Sequence, residues 1–515
     1  MIKSKICLSL FLFSLTVLPN LSYSLLIHRV NCGNSGELKG DANIVLGISV
    51  KNHCNMLSAR VSSWAGGWLD SGGRKYLHYS CKKSNGNNAY SGVCYSFKIN
   101  NCPANEIIVN GLCKRPDNNC ITITGNNCVT AKIRGSSVCN NTQEGNPCDA
   151  STGNKYQREV DYRSSTLNFV RYYNSLFDTQ NVLGKQWTHS YLGSLTIGNS
   201  IKVNRPDGKV LEFSNNNSQW LSDADITDTL TQSASQWIYT TADDTTETYN
   251  SDGRLLTTQT RDGRLTRYIY DSDNFLQQVV GPYGRSLYFN YDTNKHLITV
   301  TTADNTQISY TYDNLTNNLI SVTYPDNTSK TYHYDNTAFP SHLTGIDDEN
   351  GNRYATWTYD NKGLAISSEH ANGAEKIKLS YNPDETTTVT DALGRIKIYT
   401  FENHFGLRKP KTIEFQYNDG QKAVTKRKNY TYYPENGWLK EVTDYKGNTT
   451  YYEYNRRGLI TLETRAVGTP EEYIISTTWH QNFRLPASRT WPGHTQTYTY
   501  NAQGQLLSVT TTATP

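Results

Sequence analysis

From about residue 145 onward, apolar and polar side chains alternate in short runs, each broken by glycine, asparagine or aspartate. Leu265-Thr266-Arg267-Tyr268-Ile269-Tyr270, ahead of Asp271, is one such run. Tyr451-Tyr452-Glu453-Tyr454, ahead of Asn455-Arg456-Arg457-Gly458, is another. A period of two puts alternate side chains on opposite faces of a strand, so the pattern predicts strands joined by polar turns and almost no helix after residue 145. Asp-Gly and Asn-Gly steps between the runs favour tight hairpins.

Many runs close on a tyrosine followed by Asp or Asn: Tyr249-Asn250, Tyr270-Asp271, Tyr291-Asp292, Tyr312-Asp313, Tyr334-Asp335, Tyr359-Asp360, Tyr381-Asn382, Tyr454-Asn455 and Tyr500-Asn501. The steps 249 to 270, 270 to 291 and 291 to 312 are each 21 residues, enough for two strands and two turns. A fixed period of this length signals a repeat architecture in which each unit buries its face only against its neighbours. The tyrosine is expected to stack on its counterpart in the next unit with its hydroxyl at the rim, and the Asp or Asn to start the turn. Phe401-Glu402, Tyr433-Pro434 and Trp479-His480 read as decayed copies.

The first residues read differently. Lys3 and Lys5, the apolar run Ile6 to Val17 and the small residues of Ser22-Tyr23-Ser24 form a secretory signal peptide over 1–24, too short in its apolar part for a good spanning helix. No later run is long and apolar enough to span a membrane, so the chain is expected to be secreted or held at the cell surface, by periplasmic transit in a Gram-negative cell. Cysteine usage points the same way. Ten of the 11 cysteines, Cys32, Cys54, Cys81, Cys94, Cys102, Cys113, Cys120, Cys128, Cys139 and Cys148, follow the signal peptide and precede residue 150. An even number confined to one part of an exported chain predicts a disulfide framework over 25–144 with Cys148 tied to it, all ten oxidised, with the pairing left open.

Composition reinforces strands, with 37 Tyr against two Met. A net charge of +4 over 515 residues is too slight to indicate a nucleic-acid partner. No Gly-x-Ser-x-Gly, His-Glu-x-x-His or phosphate-cradling loop occurs. The acidic loop Asp347-Asp348-Glu349-Asn350-Gly351-Asn352 fails as a calcium loop, because with Gly351 at the sixth place the first ligand would be Ile346. The sequence therefore gives no catalytic, cofactor-binding or metal residue, and the chain is read as a non-enzyme with no cofactor. Trp64 and Trp68 are the candidate ligand contacts: either they are platforms for a sugar ring or they pack.

The segment Gly145-Asn146-Pro147-Cys148, Thr152-Gly153-Asn154-Lys155, Leu167-Asn168-Phe169-Val170-Arg171-Tyr172-Tyr173-Asn174-Ser175 and Gly184-Lys185-Gln186-Trp187-Thr188-His189-Ser190-Tyr191 resembles the segment that opens the repeats of RHS proteins. The repeats themselves resemble the YD repeats of RHS proteins, toxin-complex shell components and teneurins. The resemblance implies an all-β fold, a YD-repeat hairpin sheet curving into a partial, open shell, with an opening domain over 145–245 and repeats over 246–515. It implies a non-catalytic scaffold, part of a shell for toxin encapsulation or delivery, truncated or completed by another chain. The alternative is a self-sufficient adhesion module that recognises carbohydrate or protein on a cell surface. The family's self-cleavage region is rich in Asp-Pro, and this chain has no Asp-Pro, so no such residue carries over. About 24 strands spaced about 4.8 Å apart would give a ring roughly 37 Å across, too narrow for a cargo domain. Partner pairing or self-association is expected at the C-terminal edge.

Overall fold

The structure, a computed structural model, describes residues 142–177 and 180–513 with residues 132, 134 and 135; ahead of these it describes strand backbones between 29 and 129 without their side chains. The chain divides into two units, residues 1–118 with 126–128, and the remainder.

The first unit holds a five-stranded antiparallel sheet in the order Glu37–Lys39, Arg29–Cys32, Asn88–Ser96, Lys75–Lys83, Ala59–Leu69. Its register sets Trp64 opposite Tyr79, Trp68 opposite Tyr76 and Cys32 opposite Cys94. The side chains of the nine cysteines from Cys32 to Cys139, and those of Trp64 and Trp68, lie outside the described residues.

The second unit is a single antiparallel meander of thirty strands, from Ser194–Ile197 to Leu506–Ala513, with a three-stranded sheet, Tyr156–Arg163, Asn168–Asn174 and Trp187–His189, ahead of it. Every strand of the large sheet pairs with its sequence neighbours, so the sheet is open and all-β as expected. Among the described residues there is no α-helix.

Turn chemistry accounts for the punctuation. Asp271 Oδ1 accepts the backbone N–H groups of Asp273 (3.0 Å) and Phe275 (2.8 Å), and Asn455 Oδ1 does the same for Arg457 (2.9 Å) and Leu459 (3.1 Å). The fourth residue of these turns is left-handed, φ 72° at Asn274 and 73° at Gly458, where glycine and asparagine are tolerated best.

The tyrosine before each turn does something the pattern alone did not suggest. In most copies it sits at a break in strand register, as between Ile269 and Tyr270 or Asn290 and Tyr291. Apart from Tyr249, whose hydroxyl donates to Glu247 Oε2 (2.5 Å), its hydroxyl donates to a backbone carbonyl of the previous repeat. Tyr270 reaches Leu255 O (2.9 Å), Tyr291 reaches Leu276 O (2.9 Å), Tyr312 reaches Leu297 O (2.7 Å) and Tyr334 reaches Leu319 O (2.9 Å). Its ring packs on the aromatic residue that ends the preceding turn, Phe275 against Tyr291 and His296 against Tyr312, and these contacts replace the expected stacking of tyrosine on tyrosine. Two of the copies read as decayed keep this bond. Trp479 Nε1 donates to Ile460 O (2.8 Å), and Tyr432, the residue before the Tyr433 assigned from the sequence, donates to Pro410 O (2.8 Å).

Turns of one part of the sheet abut turns far along the chain. Gly458 lies against Thr227, Arg484 donates to Thr227 O (2.5 Å) and Asp244 Oδ2 (2.7 Å), and Gly504 lies against Arg261. Thr227 follows the fourth strand of the sheet and Gly458 the twenty-fifth; Asp244 follows the sixth and Arg484 the twenty-seventh; Arg261 follows the eighth and Gly504 the twenty-ninth. The offset is 21 strands for Thr227 with Gly458, Asp244 with Arg484 and Arg261 with Gly504, and the long Arg484 side chain reaches the neighbouring turn at Thr227 as well. An odd offset sets the upper turns of one circuit on the lower turns of the next, which is the geometry of a spiral. At about 4.8 Å per strand, 21 strands give a circumference near 100 Å and a diameter of about 32 Å.

Candidate functional site: the inner face of the spiral

The three-stranded sheet occupies the interior. Along Tyr156–Arg163, the side chains of Gln157 and Glu159 take one face with Arg171 and Tyr173 from the paired strand, while Tyr156, Arg158 and Tyr172 take the other. The first face packs on the wall. Phe169, Tyr173 and Trp187 join Phe289, Tyr310, Tyr332 and Trp357 in one buried core.

Charged groups within this layer are paired, although Arg171 Nη1 is buried without a hydrogen-bond partner. The Arg171 guanidinium holds Asp161 through Nε (2.6 Å) and Nη2 (2.9 Å), and its Nη2 also donates to Tyr332 Oη (2.7 Å). Tyr310 and Tyr324 donate to the same Asp161 carboxylate at 2.9 and 3.3 Å. One buried ion pair thereby ties the opening segment to two neighbouring repeats. Lys155 is also fully buried, with Nζ donating to Asn146 O (3.0 Å), Tyr156 O (2.8 Å) and Gln157 Oε1 (2.7 Å) and lying 4.0 Å from the centre of the Trp357 ring. Burial pushes its pKa down to about 7, against the opposing pull of Cys148 and Glu159. Further along, Lys330 pairs with Glu159 (3.0 Å), and Glu144 accepts Lys397 (2.7 Å) and the Tyr399 hydroxyl.

Of the ten cysteines expected to be bridged, Cys148 is the one whose side chain is described. It is a free thiol, wholly enclosed beside this core, and burial pushes its pKa up to about 12. Among the described residues no cluster of His, Cys, Asp or Glu has the makings of a metal site, and no helix is long and apolar enough to cross a membrane.

Beyond Tyr430 the inner face changes character. The register leads from Tyr430 to Val442, Thr450, Arg465 and Tyr473 in successive strands. The last buried side chain of the main core in this direction is Tyr430. Thereafter Arg465 donates to Glu463 (2.7 Å) and to the Tyr473 hydroxyl (3.1 Å) on a half-open, polar and aromatic surface. Arg171 and Lys155 were visible in the opening motif and Asp161 lies between them, but nothing assigned them a role. The signal was there in the alternation of Lys155, Gln157, Glu159 and Asp161 with Tyr156, Arg158, Val160 and Tyr162: polar residues on the face that packs inward need partners.

A spiral β-wall of hairpin repeats, wound round its own opening segment, defines a shell-type scaffold. Three family models match it in tandem: a domain of unknown function, DUF6531, over residues 145–213, Teneurin YD-shell over 198–425, and RHS Repeat over 433–470. The chain belongs to the RHS/YD-repeat family. Among solved structures it is similar to the crystal structure of TcdB2-TccC3-Cdc42, at 10% identity and TM-score 0.35 over 70% of this chain and 26% of that one. It is also similar to the Tc holotoxin pore of Photorhabdus luminescens, at 11% identity and TM-score 0.35 over 70% and 26%. This chain spans about a quarter of the length of those toxin chains. None of the curated proteins compared with it matches.

Proposed function

We propose that this chain is an exported, non-catalytic wall segment of a shell that encloses or delivers a toxin, and that another chain completes it. The observation that carries the reading is the contrast along the inner face. Between Leu276 and Tyr430 the wall is packed against the chain's own opening segment. From Thr450 onward it is largely polar and half-open, apart from the buried Ile475, and ends on the strand Leu506–Ala513, whose Leu506, Leu507 and Val509 are 56%, 66% and 46% exposed. A strand edge of this kind pairs readily with another strand. Further repeats added there would extend the polar wall and enclose space that the first circuit lacks. Disulfides in the cysteine-rich part would suit the secretory route that the signal peptide implies.

The test is to sequence the adjacent reading frame and co-express its product with this chain. A neighbour carrying further Tyr-Asp repeats or a toxin, co-purifying in fixed proportion, supports the proposal. A neighbour without either, together with binding of the isolated chain to intact cells, favours the adhesion module instead.

A further inference from the structure

Three turns of the second circuit rest on turns 21 strands earlier, so the register names the turns that come next. The last covered turn, at Arg261, follows the eighth strand, and Leu506–Ala513 is the thirtieth. The turns after the tenth, twelfth, fourteenth, sixteenth, eighteenth and twentieth strands lie on the same rim, and among the described residues no other circuit rests on them. Their tips Tyr283, Asp304, Asp326, Glu349, Asn372 and Leu393 are exposed, whereas the covered Thr227, Asp244 and Arg261 are half-buried. A Cβ placed on Gly284, Gly351, Gly373 or Gly394 would meet open space.

The seam already formed shows which chemistry fits this rim. Its covered turns carry carboxylates at Asp223, Asp225, Asp243, Asp244 and Asp262. The turns resting on them, 455–458, 480–484 and 501–504, carry none and hold Arg456, Arg457 and Arg484. Each of these three starts on Asn or His, although five of the seven tyrosine-led turns from Tyr249 to Tyr381 start on Asp. A carboxylate at that place would face the acids beneath it, and like charges so close repel. Arg484 supplies the attraction instead. Its backbone N–H donates to Asp244 Oδ2 (2.7 Å), and its guanidinium donates to Thr227 O (2.5 Å) and lies 3.9 Å from Asp244 Oδ1. The uncovered turns keep the acidic sign, with Asp304, Asp326, Asp348, Glu349, Glu375 and Asp391 falling one or two to a turn. Local cations answer part of this charge: Arg285 lies 3.7 Å from Asp304, Lys330 3.5 Å from Glu349 and Arg395 2.6 Å from Asp391. The first uncovered turn, 281–285, has no acid and offers Tyr283, which is 84% exposed.

We propose that this open rim seats the next circuit of the wall, supplied by the completing chain, and that the repeats seated there start their turns on Asn or His and carry Arg or Lys over the rim acids. The occupant rests on the shell reading above, while the geometry rests on the seam within this chain. Continuity with that seam fixes the register: the turn after the thirty-first strand meets 281–285, and the turn after the thirty-third meets 302–306. Acids spaced two strands apart, about 10 Å, match turns that recur at the same spacing in a second wall of hairpin repeats. Complementary charge along that row sets which repeats fit and in which register.

The test uses the chain's own arginine-bearing repeats as the probe. Residues 444–491 hold four strands and the turns of Arg457 and Arg484. Appended after Ala513 of the full exported chain, they become its thirty-first to thirty-fourth strands and set those two turns over 281–285 and 302–306. Y283C and L393C report accessibility through maleimide labelling, read at each position by mass spectrometry. Extension should slow labelling at position 283 about tenfold and leave position 393 at its original rate. D304K should restore most of the labelling at 283, whereas D326K, beneath no added turn, should not. Unchanged labelling at 283, equal slowing at 393, or indifference to D304K would each overturn the proposal. So would an extension that stays open to protease, because the rim would then fail to seat the very units that its own first circuit seats. A neighbouring reading frame without repeats would remove the natural occupant and leave these labelling results as expected, so the two readings fail separately.

Discussion

Removing one hydroxyl from the ladder of tyrosines isolates the bond on which the repeat is built. In Y291F the ring stays on Phe275, and only the donor to Leu276 O is lost. A typical hydrogen bond contributes about 1 kcal/mol net, and a buried carbonyl left unsatisfied costs about 1–3 kcal/mol. Partial burial of Tyr291 places the expected loss near the lower end, about 1–1.5 kcal/mol. Repeats contact only their neighbours, so the loss should be felt locally. Hydrogen exchange read by mass spectrometry should show amides of Leu276–Val280 and Ser286–Tyr291 exchanging about tenfold faster, the factor that 1.4 kcal/mol gives. Tyr270, Tyr291, Tyr312 and Tyr334 are spaced two strands apart, about 10 Å, so a quadruple Tyr→Phe chain should lose close to the sum, about 4–6 kcal/mol. Tyr288 is the control, because it is 47% exposed on the outer face. The reasoning is refuted if Y291F leaves exchange unchanged, or if Y288F accelerates it as much.

Three other outcomes follow from buried groups. R171M strands the Asp161 carboxylate and should destabilise by about 3–5 kcal/mol in thermal or denaturant unfolding, whereas R171M/D161L should recover much of that loss. Lys155 sheds its proton near pH 7 when folded but only near its ordinary 10.5 when unfolded; between those values the unfolded chain binds the extra proton, so stability should rise with pH across that window, and K155M should flatten the rise. Cys148 should resist maleimide in the native chain and label after denaturation without reductant. The nine cysteines left between Cys32 and Cys139 are an odd number, so at least one more labelled thiol or a disulfide-linked dimer should accompany it.

The strands and turns were legible because each is set within a few residues. Alternation fixes the face, and an Asp or Asn such as Asp271 folds its own turn through bonds to Asp273 and Phe275. What escaped was set by contacts between repeats. The role of Tyr432 in place of Tyr433 depends on the register break between Thr431 and Tyr432, and the replacement of a hydroxyl by Trp479 Nε1 depends on where Ile460 O lies. The 21-strand circuit arises from the accumulated coiling of the sheet and from turn contacts such as Arg484 with Asp244, 240 residues apart. Arg171 and Lys155 looked like ordinary strand residues until the wall supplied Tyr332, Tyr310 and Trp357 as their surroundings. Cys148 was grouped with the other cysteines by number and position, but its packing beside the opening segment's own core decides its state.

The central claim, a spiral wall built to be continued at Leu506–Ala513, is tested most directly by size-exclusion chromatography with light scattering across protein concentration, run beside limited proteolysis. The account predicts concentration-dependent association through the last strand, cleavage near Tyr500 in the dilute chain, and loss of association in V509P, because proline removes an edge donor. A strict monomer at every concentration, resistant to proteolysis near Tyr500, would contradict it.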